Sequence, residues 1–414
     1  MCALAALGSF TAVSAQDTPP KTWIDKDTGH RVYRLTDEPD SASLYFNQNG
    51  YTADGKKLIY TTPDGISSFD LATHQSRKVV EGRVRIIVTG HKTQNVYYIK
   101  GSWGGDDNAV WATNVDTLES REIARIPRGT SVSSVNADET LIAGTITKGQ
   151  GGGIYGAQRP APNGNQTQNL VQPRNKGEMM EIRLAAHLPM ELVLIDVKTG
   201  TLKTILNSTD WLNHLEFSPT DPTLLMYCHE GPWHKVDRIW TIRTDGTQNR
   251  LIHKRTMAME IAGHEFWSHD GKTIWYDLQT PKGEDFWLAG YNVESGERTW
   301  YNMQRNEWSI HFNVTRDGSL FCGDGGDPGQ VAKAADGEWI YLFRPRLIRS
   351  DGMLNEKDFV QQGMFQGERL VNMSKHNYRL EPNVSFTPDQ KMVVFRSNMF
   401  GPTYVFAVEV DKAK

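Results

Sequence analysis

Residues 268–278 read Ser-His-Asp-Gly-Lys-Thr-Ile-Trp-Tyr-Asp-Leu, a turn that feeds an alternating strand. The Asp side chain bonds its own turn backbone, and Gly takes the positive φ that the turn needs. Apolar residues at every second position then mark a half-buried strand. The same unit recurs along the chain. It begins at Ala53-Asp54-Gly55, His91-Lys92-Thr93, Asn136-Ala137-Asp138 and Ser218-Pro219-Thr220. It begins again at Thr315-Arg316-Asp317-Gly318 and Thr387-Pro388-Asp389, which makes seven copies. Several copies continue into a second hairpin, as in LVLIDVKTGTLKTIL (192–206), IWTIRTDGTQNRLI (239–252) and LAGYNVESGERTWYN (288–302). Repeats of three or four strands at this spacing predict an all-β fold, a seven-bladed β-propeller.

Closure of the ring is also readable. Asp27-Thr28-Gly29 followed by HRVYRLT (30–36) looks like the second half of a repeat with no first half. The last copy ends after YVFAVEV (404–410), one strand short. The N-terminal strand is therefore expected to close the last blade and cover its edge. Two longer gaps are expected to hold insertions, at about 147–190 and 344–380. The first carries a Gly-rich loop around Gly151–Gly153 and a predicted short helix in KGEMMEIRLAAHL (176–188).

The 414 residues carry 45 Lys and Arg against 49 Asp and Glu, a net charge of −4, which argues against a nucleic-acid partner. Residues 2–15 resemble a secretory signal cleaved after Ala15, so the mature chain (16–414) is expected in the periplasm or secreted. No later stretch is long and apolar enough to span a membrane. Cys228 and Cys322 fall in different repeats and read as two buried thiols rather than a disulfide. The chain is expected to be a monomer or dimer.

Candidate chemistry comes from register. His214, His264 and His311 each sit a few residues before the turn of their repeat. Equivalent positions in a ring converge, so the three imidazoles are expected to share one site. His229, Glu230 and Arg238 add polar groups to the same sector, and Arg238 suits a carboxylate through two parallel hydrogen bonds. Trp233 and Trp308 are candidates to stack on a sugar. Arg183 and His187, four apart on the predicted helix, would share one face and reach over the channel; a solvated helix face is the simpler reading.

The strings CHEGPW (228–233), VDRIWTIRTDGT (236–247), GHEFWSHDG (263–271), SIHFN (309–313), DGSLFCGDGGD (317–327) and SFTPDQKMVVF (385–395) together resemble the oligogalacturonate lyases. The resemblance is specific over about 205–410. Before that it rests on Tyr45-Phe46 and Gln48, which look like the family's N-terminal site strand. It implies β-elimination on uronate oligomers, with His264 as general base, Arg238 on the substrate carboxylate and His311 as a metal ligand. The family's remaining metal ligands are a Gln and two His. Here those positions hold Tyr378, Glu381 and Asn383. A set of His311, Glu381 and Asn383 suits a harder cation, Ca²⁺ in preference to Mn²⁺. No metal at all, or Arg379 supplying the charge, are the other outcomes. Tyr378 is a candidate acid for the leaving oxygen, or a stacking ring. Gln48, His214, His229, Arg183, His187, Arg379 and Trp233 are the expected substrate-binding set. The expected ligand is an oligouronide or a uronate-capped glycan, including rhamnose–glucuronate linkages.

Two other functions share the repeats. A non-catalytic, TolB-like glycan-binding or scaffold propeller has no need of three His residues in register. A propeller hydrolase needs two facing carboxylates, and nothing in the sequence pairs Glu230, Glu265 or Glu381.

Overall fold

The computed structural model describes residues 19–102, 105–148, 173–330, 333–348 and 359–413. The leader pattern at 1–15 and the Gly151–Gly153 loop lie outside the described residues. Seven antiparallel blades follow one another around a central channel. Blade 4 is representative, with strands Trp211–Phe217, Leu224–Glu230, Ile239–Arg243 and Arg250–Leu251 running from the channel outward. Each of the seven sequence turns joins the innermost strand of a blade to its second strand. In the turn at 268–273, Asp270 Oδ1 accepts from the Ser268 hydroxyl and the Lys272 N–H, and Gly271 takes φ +69°.

The middle strands, such as Leu224–Glu230 and Thr273–Gln279, are buried at nearly every position, so each blade packs on both of its faces. Burial follows that plan. Instead of one central core there are seven clusters, one in each seam between neighbouring blades. Between blades 5 and 6, for example, Phe266, Trp275 and Phe286 meet Phe312, Phe321 and Phe343.

The ring closes as the sequence predicts. His30–Arg34 pairs antiparallel with Tyr404–Lys412 of blade 7, and Thr22–Ile24 adds a fifth strand outside it. Val32 is fully buried there, in the seam between blades 6 and 7.

The two expected insertions differ in kind. The first contains the predicted helix, here called α1 (Lys176–Ala186), capped by the Asn175 side chain accepting from the Glu178 N–H. In the second, described residues lengthen the outer hairpin of blade 6, Trp339–Leu347 and Val360–Asn372. The long strand also pairs in parallel with the outer strand of blade 5, Arg298–Asn302, so blades 5 and 6 form one eight-stranded sheet. Cys228 and Cys322 are buried free thiols. Among the described residues, no helix is long and apolar enough to cross a membrane.

Closure by the N-terminal strand has a measurable consequence. Val32→Asp puts an unpaired charge in the seam and is expected to lower the unfolding free energy by about 3–5 kcal/mol in urea titrations. A loss under about 1 kcal/mol, within the usual range of surface changes, would mean that this strand does not hold the ring shut.

Candidate functional site

The innermost strands are not regular. In blades 4 and 5 the register slips between Asn213 and Glu216, and between Gly263 and Phe266. His214 and His264 sit in those bulges with φ of 44° and 46°. A left-handed conformation costs a non-Gly residue about 1–2 kcal/mol, so the surrounding ladder must enforce it. The result re-aims each imidazole toward the head of the channel.

Counting from the residue whose N–H closes each inner turn fixes the equivalence. Four residues before it stand Gln48, Ile86, Val132, His214, His264, His311 and Asn383 around the ring. Nine residues after it, on the second strand of blades 5 and 6, stand Asp277 and Asp324. They form two matching dyads. His264 Nδ1 is 2.9 Å from Asp277 Oδ1, and His311 Nδ1 is 2.7 Å from Asp324 Oδ2. Asp324 also accepts the Ile310 and His311 N–H groups through Oδ1. Each carboxylate holds the proton on Nδ1 and leaves Nε2 as the lone-pair nitrogen. The two imidazoles meet edge to face, with ring centroids 5.1 Å apart.

The Nε2 atoms differ in surroundings. That of His264 has no hydrogen bond among the described residues. That of His311 receives the Tyr45 hydroxyl at 3.1 Å and stands 3.9 Å from Glu381 Oε2. Burial, aided by the Glu381 charge, pushes the Tyr45 phenol far up, so it stays protonated. Phe46 packs on both imidazoles. Tyr45 and Phe46 come from blade 1 and reach across the channel to blades 5 and 6.

Trp233 forms a wall. Its ring lies edge-on to His264 at 5.3 Å and covers the Arg238 guanidinium at 5.3 Å. Its N–H donates to Glu230. Beneath it, Arg238 bonds Glu230 at 2.9 Å and Glu265 at 3.1 Å, all three buried. Burial alone would raise the Glu230 carboxyl. The Arg238 charge and His214, 3.2 Å away, hold it well below the usual range instead. Arg238 is thus already matched by two carboxylates. With Asp277, Asp324 and Glu381, the head of the channel carries more negative than positive charge.

Other predicted residues fall elsewhere. Tyr378 is turned inward: only 4 % exposed, it donates its hydroxyl to the Asp324 carbonyl inside the seam between blades 6 and 7, and faces no sugar. His229 points to the opposite face of its strand from Cys228 and Glu230, as a period of two requires, and stacks on Trp240 at 4.8 Å. Gln48 spends its amide on the Ile87 carbonyl and the Tyr45 N–H, bracing blade 1 to blade 2. Arg183 lies on the buried face of α1, against Trp211 at 5.4 Å and Met190, so it does not extend over the channel. His187 is the exposed C-cap of that helix. Arg379 is exposed on a turn. Trp308 is buried at 2 % exposure. Asn383 accepts from the Phe46 N–H and donates to the Glu381 carbonyl, so it props the loop in place of a metal-ligand role.

A metal fit therefore rests on His311 and Glu381. The imidazole has the tautomer that a ligand needs, a carboxylate oxygen lies 3.9 Å off, and the local charge favours a cation. The donor chemistry fits a divalent ion that completes its shell with water or substrate.

The head of the propeller channel thus carries a duplicated imidazole–carboxylate dyad, one of whose imidazoles has no hydrogen bond at Nε2 among the described residues. A family model described as oligogalacturonate lyase matches residues 178–413. An oligogalacturonide lyase of Pectobacterium atrosepticum is 26 % identical, over 94 % of this chain and 95 % of its own. An oligogalacturonate lyase of Dickeya dadantii is also 26 % identical, with the same coverage. A solved oligogalacturonate lyase in complex with manganese superposes with a TM-score of 0.73 at 24 % identity, covering 94 % of this chain and 96 % of that one. Another, from Vibrio parahaemolyticus, gives 0.73 at 24 % identity over 95 % and 96 %. The chain belongs to the oligogalacturonate lyase family, carbon–oxygen lyases that act on uronate oligosaccharides.

Glu216, lower in the channel, gives a pH test. Burial, and then the Glu265 charge, push its carboxyl well above the usual range. Its folded-state affinity for a proton exceeds the unfolded one, so folding gains from it below about pH 4 and loses as pH rises. Glu216→Gln is therefore expected to raise stability by about 1 kcal/mol at pH 7 and to give no gain near pH 4. Urea titrations at the two pH values check this; an equal effect at both would contradict it.

Proposed function

We propose that the chain cleaves oligogalacturonate by β-elimination with His264 as the base. The observation that carries this reading is the pair of dyads, with His264 Nε2 open beside Trp233. In that reaction the base takes the proton from the carbon next to the uronate carboxylate. The released electron pair becomes the new carbon–carbon double bond. The neighbouring C–O bond breaks, and its oxygen leaves with a proton.

Each residue then has a task. Asp277 fixes the His264 tautomer and steadies the imidazolium that forms. Trp233 supplies an apolar face for the sugar ring. Arg238, clamped by Glu230 and Glu265, positions Trp233 and His214 more than it meets substrate directly. Tyr45, protonated and 3.1 Å from His311, is the candidate donor to the leaving oxygen, the role sequence gave to Tyr378. His311 and Glu381 would hold a divalent metal, which would supply positive charge toward the uronate carboxylate. Manganese is preferred over calcium because a relative of the same fold holds it. The change from imidazoles to Glu381 and Asn383 favours a second substrate, a glucuronate-linked glycan. The leader pattern at 1–15 supports export to the periplasm or beyond.

Ultraviolet absorbance of the unsaturated uronate reads the reaction directly, since hydrolysis and plain binding make none. His264→Ala is expected to cut the rate by about 10²–10⁴-fold with the fold intact; full activity would remove it as base. Asp277→Asn is expected to lower kcat about 10–100-fold with KM little changed. Chelation should abolish turnover and Mn²⁺ restore it, whereas indifference to both would remove the metal. Running digalacturonate beside a rhamnose–glucuronate disaccharide decides the substrate.

A further inference from the structure

The register that pairs His264 with Asp277 and His311 with Asp324 continues into blade 7. Four residues before that blade's closing N–H, on Thr387, stands Asn383, and nine residues after it stands Arg396. Three consecutive blades thus hold Asp277, Asp324 and Arg396 at one equivalent place. The residues two before them, Trp275, Cys322 and Val394, each lie in the seam toward the next blade. A period of two puts the three charged side chains on that same side. Blade 7 therefore presents a cation where blades 5 and 6 present carboxylates.

Arg396 differs from Arg238 in what it has left to offer. Arg238 is buried and matched by Glu230 and Glu265. Arg396 is half-buried, and its Nε donates to the Glu381 carbonyl at 2.7 Å. Asn383 Nδ2 donates to the same carbonyl at 3.1 Å. Among the described residues, Nη1 and Nη2 of Arg396 have no hydrogen-bond partner and no carboxylate lies within ion-pair distance of them. Neither nitrogen is closed off from solvent. Burial disfavours the charged form of the guanidinium, opposed first by the Glu381 charge and also by Asp324. Both of these carboxylates are set around His311. An arginine keeps its charge in such a setting.

We propose that Arg396 grips a carboxylate of the bound uronate through Nη1 and Nη2, and so sets a preference for the free acid over its methyl ester. One nitrogen of the guanidinium is fixed on main chain, and the other two offer the parallel N–H groups that a carboxylate matches. A side chain already pinned at Nε loses little freedom on binding. The head of the channel is otherwise net negative, so an anionic sugar needs a cation that is not already paired. The inference rests on the elimination reading for its substrate and makes Arg396 a specificity-determining residue.

Titration calorimetry tests it with digalacturonate and with its methyl ester, on the His264→Ala chain so that neither ligand is consumed. The acid is expected to bind about tenfold or more tighter than the ester. Adding Arg396→Gln is expected to weaken acid binding about tenfold or more and to leave the ester unchanged, so the preference collapses. Arg396→Lys, which keeps the charge but not the fork, serves if the Gln variant does not fold, and is expected to lose part of the preference. A side chain that only props the Glu381 carbonyl would weaken both ligands alike. Equal affinity for acid and ester before substitution, equal loss for both, or no loss for either would each overturn this proposal and leave the elimination reading standing. Binding of neither ligand would overturn both.

Discussion

Everything in this molecule depends on apolar contact between neighbouring blades. No blade has a polar face to spare, so none is stable without two neighbours. The seven seams are mutually dependent, and a ring with one open seam would expose a full face of Val, Phe and Tyr side chains. This explains why the first two described strands are not in blade 1. Thr22–Ile24 and His30–Arg34 instead join blade 7, so the first and last described strands lie within one sheet. Closure depends on hydrogen bonds between distant parts of the sequence and on Val32, which no local signal could hold in place.

A ring built this way has a tube in its middle, and the tube is where function can be placed without disturbing packing. One position, four residues before the N–H that closes the inner turn, is equivalent in every blade. In three consecutive blades that position is histidine. In two of them the same second-strand position supplies an aspartate. The same local construction thus gives two imidazoles with the same tautomer but different openings. His264 Nε2 has no hydrogen bond among the described residues, while His311 faces a phenol and a carboxylate.

The sequence was most legible where the signal was local. Seven turns, the helix at Lys176–Ala186, the closing strand and two buried thiols can all be read from spacing and residue type. The register of His214, His264 and His311 was legible for the same reason. What could not be read was the direction of a side chain whose partner lies on another strand. His229 sits one residue from the polar cluster, and a period of two turns it away. Tyr378 and Asn383 follow the family's alignment but spend their polar atoms on backbone groups. Asp277 carried a signal that was available: it stands at the same distance after its turn as Asp324 does. Tyr45 matched the family's strand, but only the folded ring reveals that it reaches from blade 1 to blade 6.

The parallel pairing of Arg298–Asn302 with Val360–Met364 bears on how the site moves. Neighbouring blades usually meet only through side chains and are free to slip slightly past one another. Blades 5 and 6 also share main-chain hydrogen bonds at their outer rim. They are the two blades that carry the dyads. Amide hydrogens of these two sheets should therefore open together as one cooperative unit, so the two blades that carry the imidazoles exchange as a pair and not as independent repeats.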